Sequence, residues 1–351
     1  MSKPLSEKIK LIRNTKKFFK VASGKSYYPE CKRKSCFERF SELLKWSFKY
    51  KEVNDTYNLY ALDIDGTDTS GYIDAKTFMR TRDKMNGVRD NKKQYNYIVL
   101  LRDKYVFYKF LKSLNIPTPY CIGVTGHGKT LILDDKLERN NSDENIEIFI
   151  KKINGECAND IILVRNDERI KQIIAGLPKS ESYVLQQKLE QHDQMNKIYS
   201  SSVNTIRLVT IFDGKEAKVF SAVLRCGTSL SGYIDNFARG GLAIGINEFG
   251  KLRQEGFFKQ HIAKKTTIHP DTGIKFKDVQ IPYYQEALEM ALHLHTMMSE
   301  IPSIGWDIAI TPIGPCFIEG NDNWEIGIMQ ACNGGLKDKW LAFCEIYKVS
   351  R

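Results

Sequence analysis

The chain has 351 residues, of which 42% are hydrophobic and 27% are charged, so it can bury a sizeable core and is not a disordered protein. Its formal net charge of +11 is concentrated at one end. Residues 1–50 carry 14 Lys and Arg against 4 Glu, whereas the rest of the chain is nearly neutral. The net charge therefore indicates one basic segment and excludes a chain that is basic along its whole length.

Cysteine spacing and hydropathy indicate a cytoplasmic protein. The eight cysteines include no CxxC pair, and no run of about 18 apolar residues is present that could span a membrane. The Lys-rich N-terminus lacks the apolar region of a signal peptide. We expect reduced, mostly buried thiols, and a zinc or disulfide role for Cys31 and Cys36 is disfavoured because no second ligand pair follows at zinc spacing.

The residue pattern in the first third of the chain predicts helices followed by irregular structure. Aromatic and apolar residues alternate with lysines over residues 1–60, whereas residues 60–95 are polar and rich in Gly and Asp. Next come a strand over Tyr97–Leu101, a helix over Asp103–Leu114 and, after two prolines, an extended segment over Tyr120–Val124.

The residue pattern in the middle of the chain predicts short strands, one helix and a hairpin. The short elements are strands at Ile146–Ile150, Ile161–Val164 and Ser182–Gln187 and a helix at about Asp167–Leu177. Two alternating runs, Thr205–Phe212 and Ala217–Cys226, flank an Asp-Gly turn and predict a β-hairpin.

The residue pattern in the last third of the chain predicts a helix and a second hairpin. A Gly-rich stretch covers residues 227–250, and an amphipathic helix spans about Tyr283–Glu300. The second hairpin joins Trp306–Thr311 to Cys316–Asn321. Because strands alternate with isolated helices rather than in strict βαβ units, the sequence predicts an α+β fold.

Three oxygen-bearing side chains come together in the second hairpin. Glu319 and Asn321 are two residues apart on one strand, so their side chains leave from one face. A turn at Ile313-Gly314 places Asp307 opposite them. Two carboxylates and an amide oxygen suit a hard cation such as Mg²⁺. The alternative is the polar end of an edge strand whose side chains are simply solvated.

An anionic ligand at such a cation needs basic groups that face it. Arg207 and Arg225 lie inside strand-like runs, where a guanidinium binds phosphate or carboxylate bidentately or forms an ion pair within the protein. Lys104 and either Lys151 or Lys152 are further candidates. For the lysines at the strand end, simple solvation is the alternative.

Two polar segments add weaker signals. The loop that contains Asp235, Asn236, Gly240 and Gly241 can bring backbone N–H groups close to an anion, although glycines also form ordinary turns. His192, after a Gln-rich segment, is a further candidate for a place near a site. The sequence contains no HExxH motif.

In order and spacing, these segments resemble the sugar-transfer-associated ATP-grasp family over about residues 95–335. The segments that carry the resemblance are Ser202–Arg207, Asp235-Asn236, Gly240-Gly241, Gly305–Asp307 and Ile318–Asn321. It implies an ATP-grasp fold, in which two α+β lobes clasp ATP. The implied organisation is a basic, mostly helical region over 1–94, a nucleotide-binding lobe over 95–185 and a catalytic lobe over 186–351.

The resemblance also implies ATP and Mg²⁺ as cofactors and a role for individual residues. The Mg²⁺ ligands are Asp307, Glu319 and Asn321. The residues that contact ATP are Lys104, Lys151 and the lobe linker Gln187, Lys188, Leu189 and Glu190. The loop that closes over ATP and the reacting centre holds Asp235, Asn236, Gly240 and Gly241. The side chains that face the triphosphate or the substrate are Asn204, Arg207 and Arg225.

One segment departs from the pattern of that family. The run Lys151-Lys152-Ile153-Asn154-Gly155 lacks the proline and the additional glycines that usually follow the second ATP-binding lysine. The choice between Lys151 and Lys152 therefore stays open, and the resemblance implies a remodelled lid over the phosphates.

The activity implied by the resemblance is that of an ATP-dependent carboxylate–amine ligase. A small-molecule carboxylate is activated as an acyl phosphate and joined to an amine, and a sugar or uronic acid of surface-polysaccharide (capsule) biosynthesis is the expected substrate. One alternative is a kinase that phosphorylates a sugar or another hydroxyl. The other is a non-enzymatic basic binding module.

The basic segment of residues 1–50 lies outside the stretch that carries the resemblance. Its plain interpretation is a solvated helical cap appended to the catalytic region. Peripheral contact with an anionic membrane surface, or with an acidic glycan, is the alternative. Nucleic acid is not an expected partner.

Overall fold

A computed structural model of the protein describes residues 16–50, 52–87, 97–126, 129–132, 147–155, 161–164, 167–231, 240–259 and 262–349. Within these ranges the chain forms two antiparallel sheets with helices packed on them, which confirms the α+β prediction. In this part of the chain, no helix has the length and apolar character needed to cross a membrane.

The N-terminal region of the described chain, residues 16–87, is helical. Its elements are a helical segment over residues 16–22, α1 (Cys36–Tyr50) and α2 (Ala75–Met85). Helix α2 begins after Asp74, whose carboxylate accepts a 2.7 Å hydrogen bond from the backbone N–H of Thr77. Such a cap satisfies a donor that the first helical turn leaves without a partner. The sequence predicts loops and short elements over residues 60–95, so α2 is a departure from that prediction.

The middle of the chain forms the first sheet and its helices. The elements are α3 (Val99–Arg102), α4 (Lys104–Ser113), β1 (Cys121–Gly126), β2 (Lys129–Ile132), β3 (Ile148–Lys152), β4 (Ile162–Val164), α5 (Asp167–Gly176) and β5 (Ser182–Gln187). The five strands follow the order β2-β1-β5-β3-β4. The strand predicted over Tyr97–Leu101 is wrong, because α3 occupies its second half. A short apolar run does not by itself distinguish a strand from a buried helical turn.

The rest of the chain forms the second sheet and its helices. The elements are α6 (Asp193–Ile198), β6 (Thr205–Phe212), β7 (Ala217–Cys226), β8 (Leu242–Ile246), β9 (Leu252–Phe258), β10 (Lys265–Thr266), α7 (Tyr284–Thr296), β11 (Ser303–Thr311), β12 (Gly314–Asn321), α8 (Gly327–Asn333) and α9 (Lys337–Ile346). The seven strands follow the order β10-β9-β8-β7-β6-β11-β12. Both predicted hairpins are confirmed, β6 and β7 at the predicted residues. Strands β8 to β10 and helices α6, α8 and α9 have no counterpart in the prediction.

Two hydrophobic cores lie on opposite faces of the seven-stranded sheet. On one face, Leu208 and Trp306 pack with Leu294 of α7 and Phe107 of α4. On the other face, Val209 packs with α8, α9 and the N-terminal region. Successive residues of a strand point to opposite faces, so β6 alone contributes to both cores.

The N-terminal region completes the second of these cores, and its residues 16–50, which belong to the segment expected to be a solvated cap, contribute Phe18 and Leu43 to it. The ring of Phe78 in α2 is buried 4.8 Å from that of Trp324 and 4.7 Å from that of Trp340. Arg82 of the same helix donates a 2.6 Å hydrogen bond to the backbone carbonyl of Trp324. These contacts join residues more than 240 apart in the chain, which is why the pattern of residues 1–94 alone did not reveal them.

Helix α4 connects the two sheets. Its Phe107 and Leu111 lie in the core of the seven-stranded sheet, whereas Tyr108 packs with Cys121 and Val184 of the five-stranded sheet. Because apolar side chains leave this helix on two sides, both sheets are held against one shared element.

We expect Phe78→Ala to lower the free energy of unfolding by about 3–5 kcal/mol, the usual cost of truncating a buried aromatic side chain. Urea denaturation followed by circular dichroism measures this change. The matched control is Met79→Ala, at an exposed position of the same helix, which should cost less than about 1 kcal/mol. Equal and small costs for the two variants would mean that α2 contributes little to the core.

Candidate functional site

A row of charged side chains crosses four neighbouring strands of the seven-stranded sheet. In the strand order β7-β6-β11-β12, the row consists of Arg225, Arg207, Asp307 and Glu319. Arg207 lies directly opposite Asp307, and Asp307 lies directly opposite Glu319. We call these four residues the charged row. It lies on the face of the sheet that the N-terminal region partly covers, because Arg207 alternates with residues of the other core.

A β-bulge in β12 brings Glu319 into the charged row. Asp307 pairs with Glu319, and its neighbour Ile308 pairs with Phe317, so Ile318 is an extra residue in β12. In a regular strand Glu319 would share the face of Phe317, which is buried in the core with Ile308. The bulge therefore turns Glu319 towards Asp307, in keeping with the way bulges redirect side chains near functional sites.

Asp307 binds both arginines of the charged row. It is 5% exposed, and its Oδ1 accepts a hydrogen bond from Nε of Arg207. Its Oδ2 accepts from Nη2 of Arg207 at 2.9 Å and from Nη1 of Arg225 at 3.0 Å. Burial by itself would raise the pKa of Asp307, but the two guanidinium groups more than offset burial and hold this pKa below its usual range.

The ion pair that the sequence left as an alternative for Arg207 and Arg225 is therefore present. It does not prevent these arginines from contacting a ligand, because a guanidinium has five N–H donors and Arg207 uses two of them on Asp307. A cation bound at Asp307 would share the carboxylate oxygens with the arginines.

The surroundings of Glu319 shift its pKa upwards, in the direction opposite to the shift of Asp307. Burial raises the pKa of its carboxyl, and the negative charge of Asp307 raises it further, whereas the charge of Lys104 lowers it. The two carboxyl groups are also in hydrogen-bond contact with each other. A cation beside such a pair relieves both the desolvation and the repulsion.

Asn321 completes a set of three oxygen donors on the same face. Its amide nitrogen donates a 3.3 Å hydrogen bond to the carbonyl of Gly305, which leaves the amide oxygen as its donor atom for a cation. The oxygens of Asp307, Glu319 and Asn321 fit Mg²⁺. Within the described ranges, no group of three or more His, Cys, Asp and Glu side chains could hold a metal ion, so a site here depends on the amide and on oxygens of a ligand.

An ion pair that the sequence analysis missed fastens α3 to the end of β12. Arg102 donates hydrogen bonds of 2.9 and 2.8 Å to the two carboxylate oxygens of the buried Asp322. The backbone carbonyl of Asp322 accepts a further bond, of 2.8 Å, from Asn86 of the N-terminal region. The sequence offered one indication of this pair, which is closeness to predicted site residues. Arg102 lies two residues before Lys104, and Asp322 directly follows Asn321.

Lys104 begins α4 and lies where the two sheets meet. Its Nζ donates a 2.6 Å hydrogen bond to the carbonyl of Gly155, and its charge acts on Glu319 of the opposite sheet. Asp103, the residue before it, caps the helix by accepting bonds of 2.9 Å from two backbone N–H groups. The start of α4 is therefore fixed next to the charged row.

The two adjacent lysines of β3 lie on different faces. Lys151 shares a face with Phe149, over whose ring its ammonium lies at 5.5 Å, and its charge opposes the effect of burial on the thiol pKa of Cys316 in β12. Lys152 pairs instead with Glu181 at 3.6 Å. Of the two, Lys151 is thus the lysine directed towards the seven-stranded sheet.

A cavity of about 200 Å³ lies beside the segment that joins the two sheets. Its lining includes Lys188, Leu189 and Glu190, together with Phe149 of β3 and residues 200–203. The fourth residue predicted for this linker, Gln187, is exposed and donates its backbone N–H to the carbonyl of Tyr120. The structure therefore places three of the four predicted linker residues at the cavity.

Asn204 is not brought into the charged row. Its side chain is completely buried and donates hydrogen bonds of 2.8–3.0 Å to the side-chain oxygen of Gln191 and to the carbonyls of Met195 and Tyr199. These bonds close the loop before β6 that lines the cavity. In this structure Asn204 supports the loop, and the role that the resemblance implies for it, facing the triphosphate or the substrate, stays a prediction.

The remaining predicted residues occupy turns or lie outside the described part of the chain. Asp235 and Asn236 lie outside the described residues. Gly240 has φ = 104°, and a Cβ there would lie 2.7 Å from the Cβ of Leu230, so the position requires glycine; Gly241 is buried beside it. The Nδ1 atom of His192 accepts a 3.1 Å bond from a backbone N–H at the start of α6, where it acts as a helix cap.

A buried hydrogen-bond network fixes the strand that carries Asp307. Trp306 donates from Nε1 to the hydroxyl of Thr210 at 2.8 Å, and that hydroxyl lies 2.6 Å from Nδ1 of His295. Nε2 of His295 lies 2.8 Å from the carbonyl of Ile301, which can only accept, so the neutral ring carries its proton on Nε2. Burial lowers the pKa of His295 to about 4.

Comparison with known proteins identifies one family. Residues 88–344 match the family described as sugar-transfer associated ATP-grasp. No curated protein matches the chain.

Several solved structures are similar to the chain at low identity. D-alanine–D-alanine ligase from Bacillus anthracis is 14% identical with a TM-score of 0.41, over 71% of this chain and 66% of that one. D-alanyl-alanine synthetase A from Vibrio cholerae is 10% identical with a TM-score of 0.44, over 71% and 65%. N5-carboxyaminoimidazole ribonucleotide synthetase from Thermotoga maritima is 12% identical with a TM-score of 0.38, over 69% and 48%. The chain therefore spans less than two thirds of each of these proteins.

The buried network predicts a pH dependence of stability. The folded protein keeps His295 neutral down to about pH 4, whereas an unfolded chain protonates it near its ordinary pKa of 6.5. The free energy of unfolding should therefore decrease as the pH falls from 6.5 to 4, by up to about 3 kcal/mol from this residue. Urea denaturation at a series of pH values measures the slope.

Glutamine substitutions separate this contribution from those of other groups. His295→Gln should lose this part of the slope, because glutamine does not titrate, and His293→Gln, at an exposed position of the same helix, should keep it. An unchanged slope in His295→Gln would contradict a neutral, buried His295.

Proposed function

Because the chain belongs to the sugar-transfer associated ATP-grasp family, we propose that it is an ATP- and Mg²⁺-dependent carboxylate–amine ligase. The observation that carries the proposal is the charged row with Asn321 beside it, in which anion-binding and cation-binding side chains meet. In the proposed reaction the γ-phosphoryl group of ATP passes to a substrate carboxylate. An amine then attacks the acyl phosphate, and an amide, ADP and phosphate are released.

The proposed Mg²⁺ ligands are Asp307, Glu319 and Asn321. When bound there, Mg²⁺ neutralises charge on phosphate oxygens and orients them. The raised pKa of Glu319 supports this assignment. The two arginines stabilise the negative charge of Asp307, but the protein provides no comparable stabilisation of a negative charge on Glu319. Oxygens of a bound nucleotide would supply the further ligands that the protein does not provide.

The basic side chains are proposed to neutralise the transferred phosphoryl group from two directions. Arg207 and Arg225 approach from the seven-stranded sheet, and Lys104 and Lys151 approach from the side of the five-stranded sheet. Such a reaction is accelerated mainly by positioning and by charge stabilisation, without a protein nucleophile. The ion pairs to Asp307 hold both guanidinium groups in place before a ligand arrives.

The cavity beside the linker is the proposed site of adenine and ribose. Lys188, Leu189 and Glu190 line it, and Phe149 from β3 contributes an aromatic ring. The lining combines the apolar side chains of Phe149, Leu163, Leu189 and Val203 with polar and charged ones, which could hydrogen-bond to a nucleotide. The loop with Asp235, Asn236, Gly240 and Gly241 is proposed to close over the nucleotide.

We propose a sugar-linked carboxylate, such as a uronic acid of surface-polysaccharide biosynthesis, as the substrate class. The description of the family, which names sugar transfer, supports this choice. The test is a screen for ADP release with ATP and Mg²⁺, in which uronic acids and their nucleotide sugars are crossed with amines. The proposal requires ADP release that depends on both a carboxylate and an amine. ADP release with a sugar alone, together with a stable phosphorylated sugar, would identify a kinase instead.

We expect Glu319→Gln to reduce kcat by about 100-fold or more, the effect of removing one preorganised charge-stabilising group. ADP release at saturating ATP measures the change, and circular dichroism checks that the fold is retained. Glu325→Gln is the matched control, because Glu325 is exposed and lies shortly after the same hairpin. Equal turnover in Glu319→Gln and the wild type would exclude Glu319 as a Mg²⁺ ligand.

The two lysines of β3 should differ in their effect on ATP. Lys151→Met should lower kcat/KM for ATP by about tenfold or more, because a hydrogen bond to a charged group contributes about 1.5–3 kcal/mol. Lys152→Met removes the same charge one residue away, where the side chain pairs with Glu181, and should leave this parameter nearly unchanged. Initial rates at varied ATP concentration distinguish the two. The reverse result would assign the ATP contact to Lys152.

A further inference from the structure

The N-terminal region exposes a contiguous group of apolar side chains. Phe37, Leu44 and Phe48 follow spacings of seven and four residues on α1, which places them on one helix face, and the two phenylalanines are 82% and 68% exposed. Phe19 of the preceding helical segment is 60% exposed, and its ring lies 5.4 Å from that of Phe40 in α1. We call these five side chains the apolar patch.

Within the apolar patch, Phe40 packs partly against the core that holds α1 in place, whereas Phe37, Leu44 and Phe48 are not part of that core. Leu43, next to Leu44 in sequence, is completely buried in the core with Phe18 and Tyr57. Phe37, Leu44 and Phe48 lie roughly 100–140° around α1 from Leu43, so they stay exposed after the helix has packed on the core. Contiguous apolar surfaces of this kind mark interaction sites on soluble proteins.

Lysines border the apolar patch. The bordering residues are Lys16, Lys17 and Lys20 beside Phe19, and Lys45 and Lys49 beside Leu44 and Phe48, all of them exposed. Lys17 pairs with Asp55 at 3.4 Å. The nearby Glu38 is bound to the backbone N–H of Ser35 at the start of α1. Lysines therefore border the patch beside Phe19 and beside Leu44 and Phe48, and residues 1–15 carry four further basic residues against one Glu.

The chemistry of the border favours a lipid surface over a protein partner. Protein interfaces are depleted in Lys and enriched in Arg, whereas the five exposed basic residues at this border are all Lys. Amphipathic helices that lie in a membrane surface place Phe and Leu among the acyl chains and Lys at the headgroups, which long lysine stems can reach.

We propose that the apolar patch docks the protein on an anionic membrane surface. The phenylalanine and leucine side chains enter the boundary between headgroups and acyl chains, and the bordering lysines contact anionic headgroups. The docking is peripheral and does not depend on the proposed ligase activity.

The test uses the full chain and sedimentation with lipid vesicles. One set of vesicles is phosphatidylcholine, and the other contains equal parts of phosphatidylcholine and phosphatidylglycerol. The wild-type protein should sediment with the anionic vesicles and stay in solution with the neutral ones. Lys45→Glu/Lys49→Glu should weaken this binding by about tenfold or more, since each lysine near such a surface contributes about fivefold. Phe37→Ser/Phe48→Ser should weaken it by a similar factor.

Matched control variants change the same residue types elsewhere on the surface. Phe249→Ser/Ile313→Ser removes two side chains that are 71% and 94% exposed, and Lys275→Glu/Lys277→Glu makes the same change of charge as the lysine variant. Both control variants should bind anionic vesicles as the wild type does. Circular dichroism confirms that each variant is folded.

Three results would overturn the proposal. The first is a wild-type protein that does not sediment with anionic vesicles. The second is equal binding by the patch variants and the control variants. The third is a wild-type dimer in gel filtration that Phe37→Ser/Phe48→Ser converts to a monomer without any change in vesicle binding, since the patch would then be an interface between two copies of this chain.

Discussion

The buried contact between Asp307 and two arginines is the constraint on which the rest of the site depends. An isolated carboxylate at this depth would cost several kcal/mol, and each guanidinium would be equally costly without a partner. The three charges therefore specify the register of β7, β6 and β11, because a slip of one residue would send at least one charge into the opposite, apolar core. The same register places Trp306 in its buried network and sets Glu319 opposite Asp307.

Local patterns in the sequence were sufficient for the strands that form the site. The alternation in β6 and β7 predicted both strands at their observed residues, and the spacing of Glu319 and Asn321 correctly placed them on one face of β12. The fold class also followed, because isolated helices between alternating runs are typical of α+β proteins. The assignment of these residues to Mg²⁺ and ATP remains a prediction.

What the sequence did not reveal depends on contacts between distant residues. The bulge at Ile318 is visible only once the partner strand is known, and the pair of Arg102 with Asp322 joins residues 220 apart. The contacts of Asn204 are of the same kind, because the hydrogen bonds by which it closes the loop before β6 cannot be recognised from the sequence. Helix α2 lies in a stretch that is polar overall, and its Phe78 is buried against tryptophans near the other end of the chain.

The match to the family begins at residue 88, immediately after the N-terminal region that covers one face of the seven-stranded sheet. The unit that can be recognised by homology and the unit that shares one hydrophobic core therefore have different boundaries. A fragment cut at the homology boundary would keep the charged row but would expose the rings of Phe220, Trp324 and Trp340 to water. For this chain, the residues that precede the family segment are a structural requirement of the segment itself.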